Sequence, residues 1–360
     1  MHLVLAIVAI IASLLLVVGI HEAGHAVVAR LCSVQIKRIS IGFGMPLLRW
    51  QGRGGCEWVW ALWPLGGYVQ LLNTRIAPVA AADYGRCFDK KPVWVRIVIL
   101  LSGAGANILM AWFALALIMM IGHKQTPPVI ASVTVQSIAA RAALTPGDQF
   151  IRIANIKTES WQTVGMQLIK HLGQHQVPVV MTSSTGVTRQ TVFDLSGWHY
   201  THKDTSLLAS IGVSPDLARR GEQHVAGVSL IQALCQSWLQ MISLLSFFLV
   251  MLKQLLTGVI PFMLLLGPFG FFTTMVDSFF QGVVVFLYFI ANLSLSVALI
   301  NLFPIPSLDG GSIIYALVEK IRGKPVSVAF EILLHRLIFI AFCLIFIQLL
   351  MNDVHRLMAT

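Results

Sequence analysis

Apolar runs without charged residues divide this chain into four predicted transmembrane segments. A helix needs about 20 apolar residues to cross the hydrocarbon of a bilayer. The four runs lack Lys, Arg, Asp and Glu, and they lie at Met1–His21, Ile97–His123, Ser278–Leu308 and Leu337–Asn352. The first run is expected to be a retained helix and not a signal peptide, because no basic segment precedes it and no small-residue cleavage site follows.

A further charge-free region has two possible interpretations. Gln223–Leu252 and Gln254–Val276 are separated only by Lys253 and could supply one or two more spans. We favour amphipathic helices at the membrane interface, because several glutamine and serine residues recur near helical spacing. We therefore predict that residues 206–277 form a linker followed by amphipathic or interfacial helices.

The composition excludes a soluble domain. Hydrophobic residues make up 57% of the 360 residues and charged residues only 11%, whereas soluble domains carry about 25% charge. The predicted fold is a polytopic α-helical membrane protein with about four transmembrane helices. Its N-terminal half spans residues 1–123 and its C-terminal half residues 278–360.

Basic residues in the loops predict the orientation. Residues 30–96 hold ten Lys or Arg residues against three acidic ones, and the loop before the last span is basic as well. Such loops stay in the cytoplasm. The polar block at residues 124–222 is then expected on the opposite side, although long domains translocate largely regardless of charge.

Residues 124–205 are predicted to form an extracytoplasmic PDZ-like domain. Short β-rich runs alternate with turn signals, and a helical stretch at Trp161–Leu172 ends before Gly173, as the C-terminal glycine rule expects. The segment at residues 139–151, with its Pro146-Gly147-Asp148 turn, resembles the small helix, turn and strand of bacterial PDZ domains. An unrelated small α+β domain is the alternative.

The first predicted helix carries the sequence His21-Glu22-Ala23-Gly24-His25. Histidines four residues apart lie on one helical face, so both imidazoles can reach a single zinc ion. Glu22 would then stand beside the metal, where it can accept a proton from a bound water. Polar residues in an apolar helix are costly and indicate function.

A catalytic zinc usually has three protein ligands, and Asp309 is the predicted third. It follows Asn301 in the sequence Asn-Leu-Phe-Pro-Ile-Pro-Ser-Leu-Asp-Gly, where two prolines are expected to break the helix. The number of crossings places Asp309 on the cytoplasmic side, together with the histidines. Asp277, the other acid near a span, is expected at the opposite interface.

Together these motifs resemble the site-2 protease family of intramembrane zinc metalloproteases, and within it the bacterial regulators of the RseP type. Residues 41–44 and 64–69 are similar to the family's membrane-reentrant β-hairpin, and residues 102–107 to its second-helix motif. The resemblance extends over nearly the whole chain. It implies that His21, His25 and Asp309 are zinc ligands, that Glu22 is the catalytic acid and base, and that Asn301 contacts substrate near the active site.

The resemblance implies a protease of the bacterial inner membrane that cleaves transmembrane segments of single-pass proteins, such as a trimmed membrane-bound anti-sigma factor or signal peptide remnants. The active site is expected near the cytoplasmic side, and nucleic acid is not an expected partner. The chain departs from enteric members in one respect, because its insert has room for a single PDZ domain. A non-catalytic membrane scaffold or a transporter is the alternative, since transporters also contain broken helices.

Overall fold

The computed structural model describes residues 2–52, 55–198, 206–216 and 223–359. These residues form two compact units. The first comprises residues 1–117, 234–241 and 266–360, and the second comprises residues 118–233 and 242–265. The predicted end of the inserted domain, residue 205, lies outside the described residues.

Helices make up most of the first unit. They are α1 (His2–Leu31), α2 (Val93–Ile121), α7 (Pro268–Phe280), α8 (Val283–Asn301), α9 (Asp309–Arg322) and α10 (Val328–Ala359). α1 contacts α7 and α8, and α7 contacts α10. α1 continues ten residues beyond the predicted run, because its histidines and glutamate are accommodated inside the helix and do not end it.

The predicted third span is divided in the structure. The charge-free run predicts one span from Ser278 to Leu308, but α7 ends at Phe280 and α8 begins at Val283. Gly282 between them has a φ of +103°, a conformation that no right-handed helix contains and that glycine adopts at little cost. The predicted break at the two prolines is confirmed, since α8 ends at Asn301.

Six segments of the described chain are long and apolar enough to cross a membrane. They are His2–Leu31, Val93–Ile121, Leu230–Leu256, Phe262–Phe280, Val283–Asn301 and Val328–Met358. This supports a polytopic membrane protein, as predicted. The count of about four crossings stays a prediction. Helix α6 (Leu230–Leu256) is one continuous helix in the region expected to be interfacial.

Two long strands, β1 (Ile36–Gln51) and β2 (Glu57–Leu71), follow α1. Residues 57–60 are paired with residues 38–41 and also with residues 48–51, while residues 67–71 are paired with residues 36–41 alone. The strands therefore bend so that four segments lie side by side. Residues 67–71 form one edge of this curled sheet, and residues 57–60 lie inside it.

The curled sheet exposes an apolar surface. Large side chains between residues 43 and 63 of the two strands are solvent-accessible: Phe43, Met45, Leu47, Leu48, Trp50, Trp60, Leu62 and Trp63. Such a continuous apolar patch indicates contact with a membrane. The predicted membrane-associated β segment is consistent with this surface.

The second unit contains the inserted β-rich domain. A four-stranded antiparallel sheet has the order β6 (Ile156–Lys157), β5 (Gln149–Ile153), β7 (Val177–Thr182), β8 (Thr188–Phe193). Two separate two-stranded antiparallel sheets pair β4 (Ile130–Val133) with β9 (Val213–Pro215) and β3 (His123–Gln125) with β10 (Gln223–Val225). The short helices are α3 (Ile138–Arg141), α4 (Trp161–Lys170) and α5 (Leu207–Ile211).

The inserted domain has its own hydrophobic core. Phe150, Leu168 and Phe193 are fully buried in it, as expected where a helix packs on one face of an antiparallel sheet. The turn before β5 is fixed by Asp148, whose carboxylate accepts hydrogen bonds from the backbone N–H and the hydroxyl of Thr145 at 2.7 and 2.9 Å. The predicted β-rich character of this region is confirmed, and the helix predicted at Trp161–Leu172 ends at Lys170, two residues early.

Asp353 of α10 caps the beginning of α7. Gly267 precedes that helix and has no side chain to accept a hydrogen bond, so the free N–H groups of the first turn need another partner. The Asp353 carboxylate accepts from the backbone N–H groups of Gly267 at 2.9 Å, Phe269 at 2.8 Å and Gly270 at 3.2 Å. The side chain is buried, so these bonds replace its contact with water.

The variant Asp353→Ala should therefore unfold at lower temperature. Loss of a charged acceptor for several helix N–H groups costs about 2 kcal/mol, and Asp353→Asn, which keeps one oxygen acceptor, should lose about half as much. Thermal unfolding of the purified protein in detergent measures both. Asp277→Ala is the control, because Asp277 lies on α7 but is exposed. Equal stability of Asp353→Ala and the wild type would contradict the capping role.

Candidate active site

The two histidines of the HExxH sequence lie inside α1, on the face that contacts α2. Both side chains are buried. Nδ1 of His25 lies 2.8 Å from the carbonyl oxygen of Ile99. Since a carbonyl oxygen only accepts hydrogen bonds, Nδ1 must carry the proton, and Nε2 is left with a lone pair. A backbone carbonyl in this role fixes the ring orientation and the tautomer of a metal-binding histidine.

Asp309 is the first residue of α9 and follows an irregular turn after α8. Pro304 and Pro306 have no N–H to continue the α8 hydrogen-bond ladder. The turn is closed by the N–H of Leu308, which donates to the carbonyl oxygen of Ile305 at 3.1 Å. Ser307 has a φ of +82°, which is strained for a residue with a side chain. This turn reverses the chain and brings Asp309 to the histidines.

Three candidate ligand atoms form a nearly equilateral triangle. Nε2 of His21 and Nε2 of His25 are 3.2 Å apart, and each lies 3.2 Å from Oδ2 of Asp309. A tetrahedral zinc ion with bonds of about 2.0–2.1 Å requires its ligand atoms to be about 3.3 Å apart. The donor set and its spacing therefore fit zinc. Within the described part of the chain, this is the group of His, Cys, Asp and Glu side chains with metal-binding spacing.

Glu22 is held by the edge of the curled sheet. Its Oε2 accepts a hydrogen bond from the backbone N–H of Val69 at 2.9 Å. Val69 belongs to the edge segment 67–71, so this N–H points away from the sheet and towards α1. This hydrogen bond holds the Glu22 carboxylate beside the triangle of candidate ligand atoms, on the side of the site where the sheet lies.

An ion pair holds α9 against α2. Nη1 of Arg96 donates to Oε2 of Glu319 at 2.9 Å, and the guanidinium lies over the ring of Phe88 with 5.6 Å between its Cζ and the ring centroid. Arg96 is only 6% exposed. Because Asp309 begins the helix that carries Glu319, this pair helps to fix the position of the aspartate.

Among the described residues, the side-chain hydrogen bond of Asn301 lies within its own helix and not at the cluster. Its Nδ2 donates to the carbonyl oxygen of Val297 at 2.9 Å, within α8. Sequence reasoning also missed two groups that hold the cluster, the Ile99 carbonyl and the Val69 N–H. Both are backbone atoms, so residue type gives no signal for them, although both lie in or next to segments singled out for their resemblance to family motifs.

The fold and the site define a class of protein: a polytopic membrane protein that buries a two-histidine, one-aspartate cluster beside a glutamate. The chain belongs to peptidase family M50, whose model matches residues 9–346. It is 28% identical to the regulator of sigma-E protease RseP of Salmonella typhimurium, over 97% of this chain and 98% of the relative. It is 26% identical to the protein of that name from Escherichia coli K12, with 96% and 98% covered. A protease RseP from Yersinia pestis is 28% identical, with 99% and 100% covered.

Family membership confirms several predictions. The chain is an intramembrane zinc metalloprotease of the site-2 type. Its apolar helices and its bacterial relatives make it a multi-pass protein of the bacterial inner membrane.

The pair of Arg96 and Glu319 leads to a prediction about stability. Glu319→Ala leaves a buried guanidinium without its partner, which should destabilise the protein by about 2–4 kcal/mol. Replacing both residues by methionine removes the buried charge as well, so Arg96→Met with Glu319→Met should regain most of that loss. Chemical unfolding in detergent measures the difference, with Lys320→Ala, an exposed neighbour, as the control. A double variant no more stable than Glu319→Ala would show that the loss does not come from the unpaired buried guanidinium.

Proposed function

We propose that His21, His25 and Asp309 bind the catalytic zinc ion and that Glu22 is the general base and acid. The triangle of ligand atoms with sides of 3.2 Å carries this proposal. Two neutral imidazoles and one carboxylate form a typical donor set for catalytic zinc, which leaves the fourth position open for water and substrate. Burial of the cluster keeps bulk water from competing for the ligand atoms.

Zinc bound there lowers the pKa of water and polarises a substrate carbonyl. Glu22 accepts the proton that the attacking water loses, and it later donates a proton to the leaving amine. The Val69 N–H keeps Oε2 of Glu22 in place, which leaves Oε1 to move the proton. The Nδ2 of Asn301 has a second hydrogen beyond the one given to Val297, and this hydrogen could hold the substrate backbone or the developing oxyanion.

The proposed substrates are transmembrane segments of single-pass proteins. In a membrane helix every amide is already hydrogen-bonded, so the segment must unwind before a carbonyl can react. An edge strand can pair with the unwound backbone and replace its lost hydrogen bonds. The edge segment 67–71 carries the N–H group that contacts Glu22, so a substrate strand paired along this edge would lie beside the base.

We also propose that residues 124–205 form a single extracytoplasmic PDZ domain and that the active site opens towards the cytoplasm. The buried core and the antiparallel sheet support a compact domain of this size. The alignment with the Salmonella relative extends over 445 positions, about a quarter more than the 360 residues of this chain. That difference is about the size of one small domain, in agreement with one PDZ domain in place of two.

Zinc binding and cleavage test the proposed chemistry separately. The wild type should bind about one zinc ion per chain, and His21→Ala should lose it. Glu22→Gln should keep the metal but cleave a membrane-spanning test substrate about 10²–10⁴-fold more slowly, as loss of a general base predicts. Zinc content of the purified protein and cleavage in detergent or proteoliposomes are measured, with Glu159→Gln in the inserted domain as the control.

Cleavage by Glu22→Gln at close to the wild-type rate would contradict the assignment of the base. A scaffold or transporter, the alternative function, would show no cleavage even in the wild type. The two results are distinguishable in the same experiment.

Labelling of single cysteines tests the proposed orientation. In a variant without the five native cysteines, Ile76→Cys should react with a membrane-impermeant maleimide only from the cytoplasm, because it lies in the basic loop. Val135→Cys in the inserted domain should react only from the other side. Both positions are well exposed, at 67% and 84%. The opposite pattern would invert the proposed topology.

A further inference from the structure

Gly103 of α2 lies directly against both histidines of the cluster. A Cβ atom added at this position would fall 2.7 Å from Cε1 of His25 and 2.8 Å from Cε1 of His21, and it would be closer still to Nε2 of His25. Carbon atoms that are not bonded attract each other at about 3.5–4.0 Å. No side chain larger than hydrogen therefore fits between α2 and the two rings as they stand.

The two rings have little freedom to move away. Nδ1 of His25 is bound to the carbonyl oxygen of Ile99, which lies one helical turn before Gly103 on the same face of α2. The rings of His21 and His25 stand nearly perpendicular to each other, at 84°, with 4.8 Å between their centroids. Both side chains are buried, so a displaced ring would have to push other packed atoms. Any movement also changes the 3.2 Å separation of the two Nε2 atoms.

We infer that Gly103 is a positioning residue for the metal site: its missing side chain lets α2 support both imidazoles at the separation that a single zinc ion requires. The residue does not bind the metal or the substrate. It acts through the histidines, and the inference rests on the proposed zinc ligands. A methyl group at this position should move at least one Nε2 atom out of the triangle.

Gly105 provides a matched control on the same helix. It is two residues away, and a Cβ atom added there meets nothing within 4 Å among the described residues. Alanine has a higher helix propensity than glycine, and both substitutions receive that gain. A difference between Gly103→Ala and Gly105→Ala therefore reports the contact with the histidines and not a general effect on the helix.

Zinc affinity is measured first, on the purified full chain in detergent, by competition with a chelator. Loss of ligand orientation typically weakens metal binding 10–100-fold, so Gly103→Ala should bind zinc at least tenfold more weakly than the wild type. Gly105→Ala should stay within twofold. Cobalt replaces zinc in a second measurement, where the visible absorption bands report coordination geometry. These bands should change in Gly103→Ala and not in Gly105→Ala.

The metal-free protein gives an independent measurement of the same contact. Gly103→Ala should lower the midpoint of thermal unfolding in the wild-type background. In a His21→Ala, His25→Ala background the rings are gone, so Gly103→Ala should leave the midpoint unchanged or raise it. If Gly103→Ala alone folds too poorly to purify, the variant that also lacks both rings is still expected to fold. That difference reports the same contact.

Unchanged zinc affinity and an unchanged cobalt spectrum in Gly103→Ala would overturn the inference while leaving the proposed function intact. Destabilisation by Gly103→Ala that persists without the two rings would overturn it too, since the glycine would then be needed for another contact. A wild type that binds no zinc would overturn the proposed ligands together with the inference.

Discussion

Burial of a polar cluster among apolar helices is the constraint on which the rest of this structure depends. An imidazole or a carboxylate in hydrocarbon is costly unless it has partners. Here Nε2 of His21, Nε2 of His25 and Oδ2 of Asp309 lie 3.2 Å from one another. The backbone supplies further partners. The Ile99 carbonyl binds His25 and the Val69 N–H binds Glu22. The helices therefore pack at positions that complete the cluster, and not only where apolar surfaces match.

The same constraint explains the buried ion pair of Arg96 and Glu319. A charged pair of this kind is weak evidence for stability, because desolvation offsets much of the attraction. Its value here is geometric. It connects α2, which supports the histidines, to α9, which begins with Asp309. The two halves of the site are far apart in sequence, and a directional contact fixes their relation better than apolar packing alone.

The sequence predicted those parts of the site that depend on spacing or on residue type. Helical periodicity placed His21 and His25 on one face, and the prolines after Asn301 predicted the break that positions Asp309. Two contacts could not be predicted, that of the Ile99 carbonyl with His25 and that of the Val69 N–H with Glu22, because they depend on backbone atoms meeting across the fold. The Val69 N–H reaches Glu22 only because β2 bends, and the bend depends on pairing with residues distant in sequence. The charge-free run also overestimated the length of the third span, because Gly282 carries no charge and yet separates α7 from α8.

Irregular backbone near the active site also follows from the requirements of the reaction. Helices satisfy their own amides and offer nothing to an unwound substrate, so a protease acting at membrane depth needs at least one strand edge within reach of its base. An exposed edge in hydrocarbon is costly in turn, unless protein groups cover it when substrate is absent. The Glu22 carboxylate covers one N–H of the edge segment 67–71, and in doing so it is aimed by the same edge that a substrate would use. One hydrogen bond thus covers part of the edge and orients the proposed base.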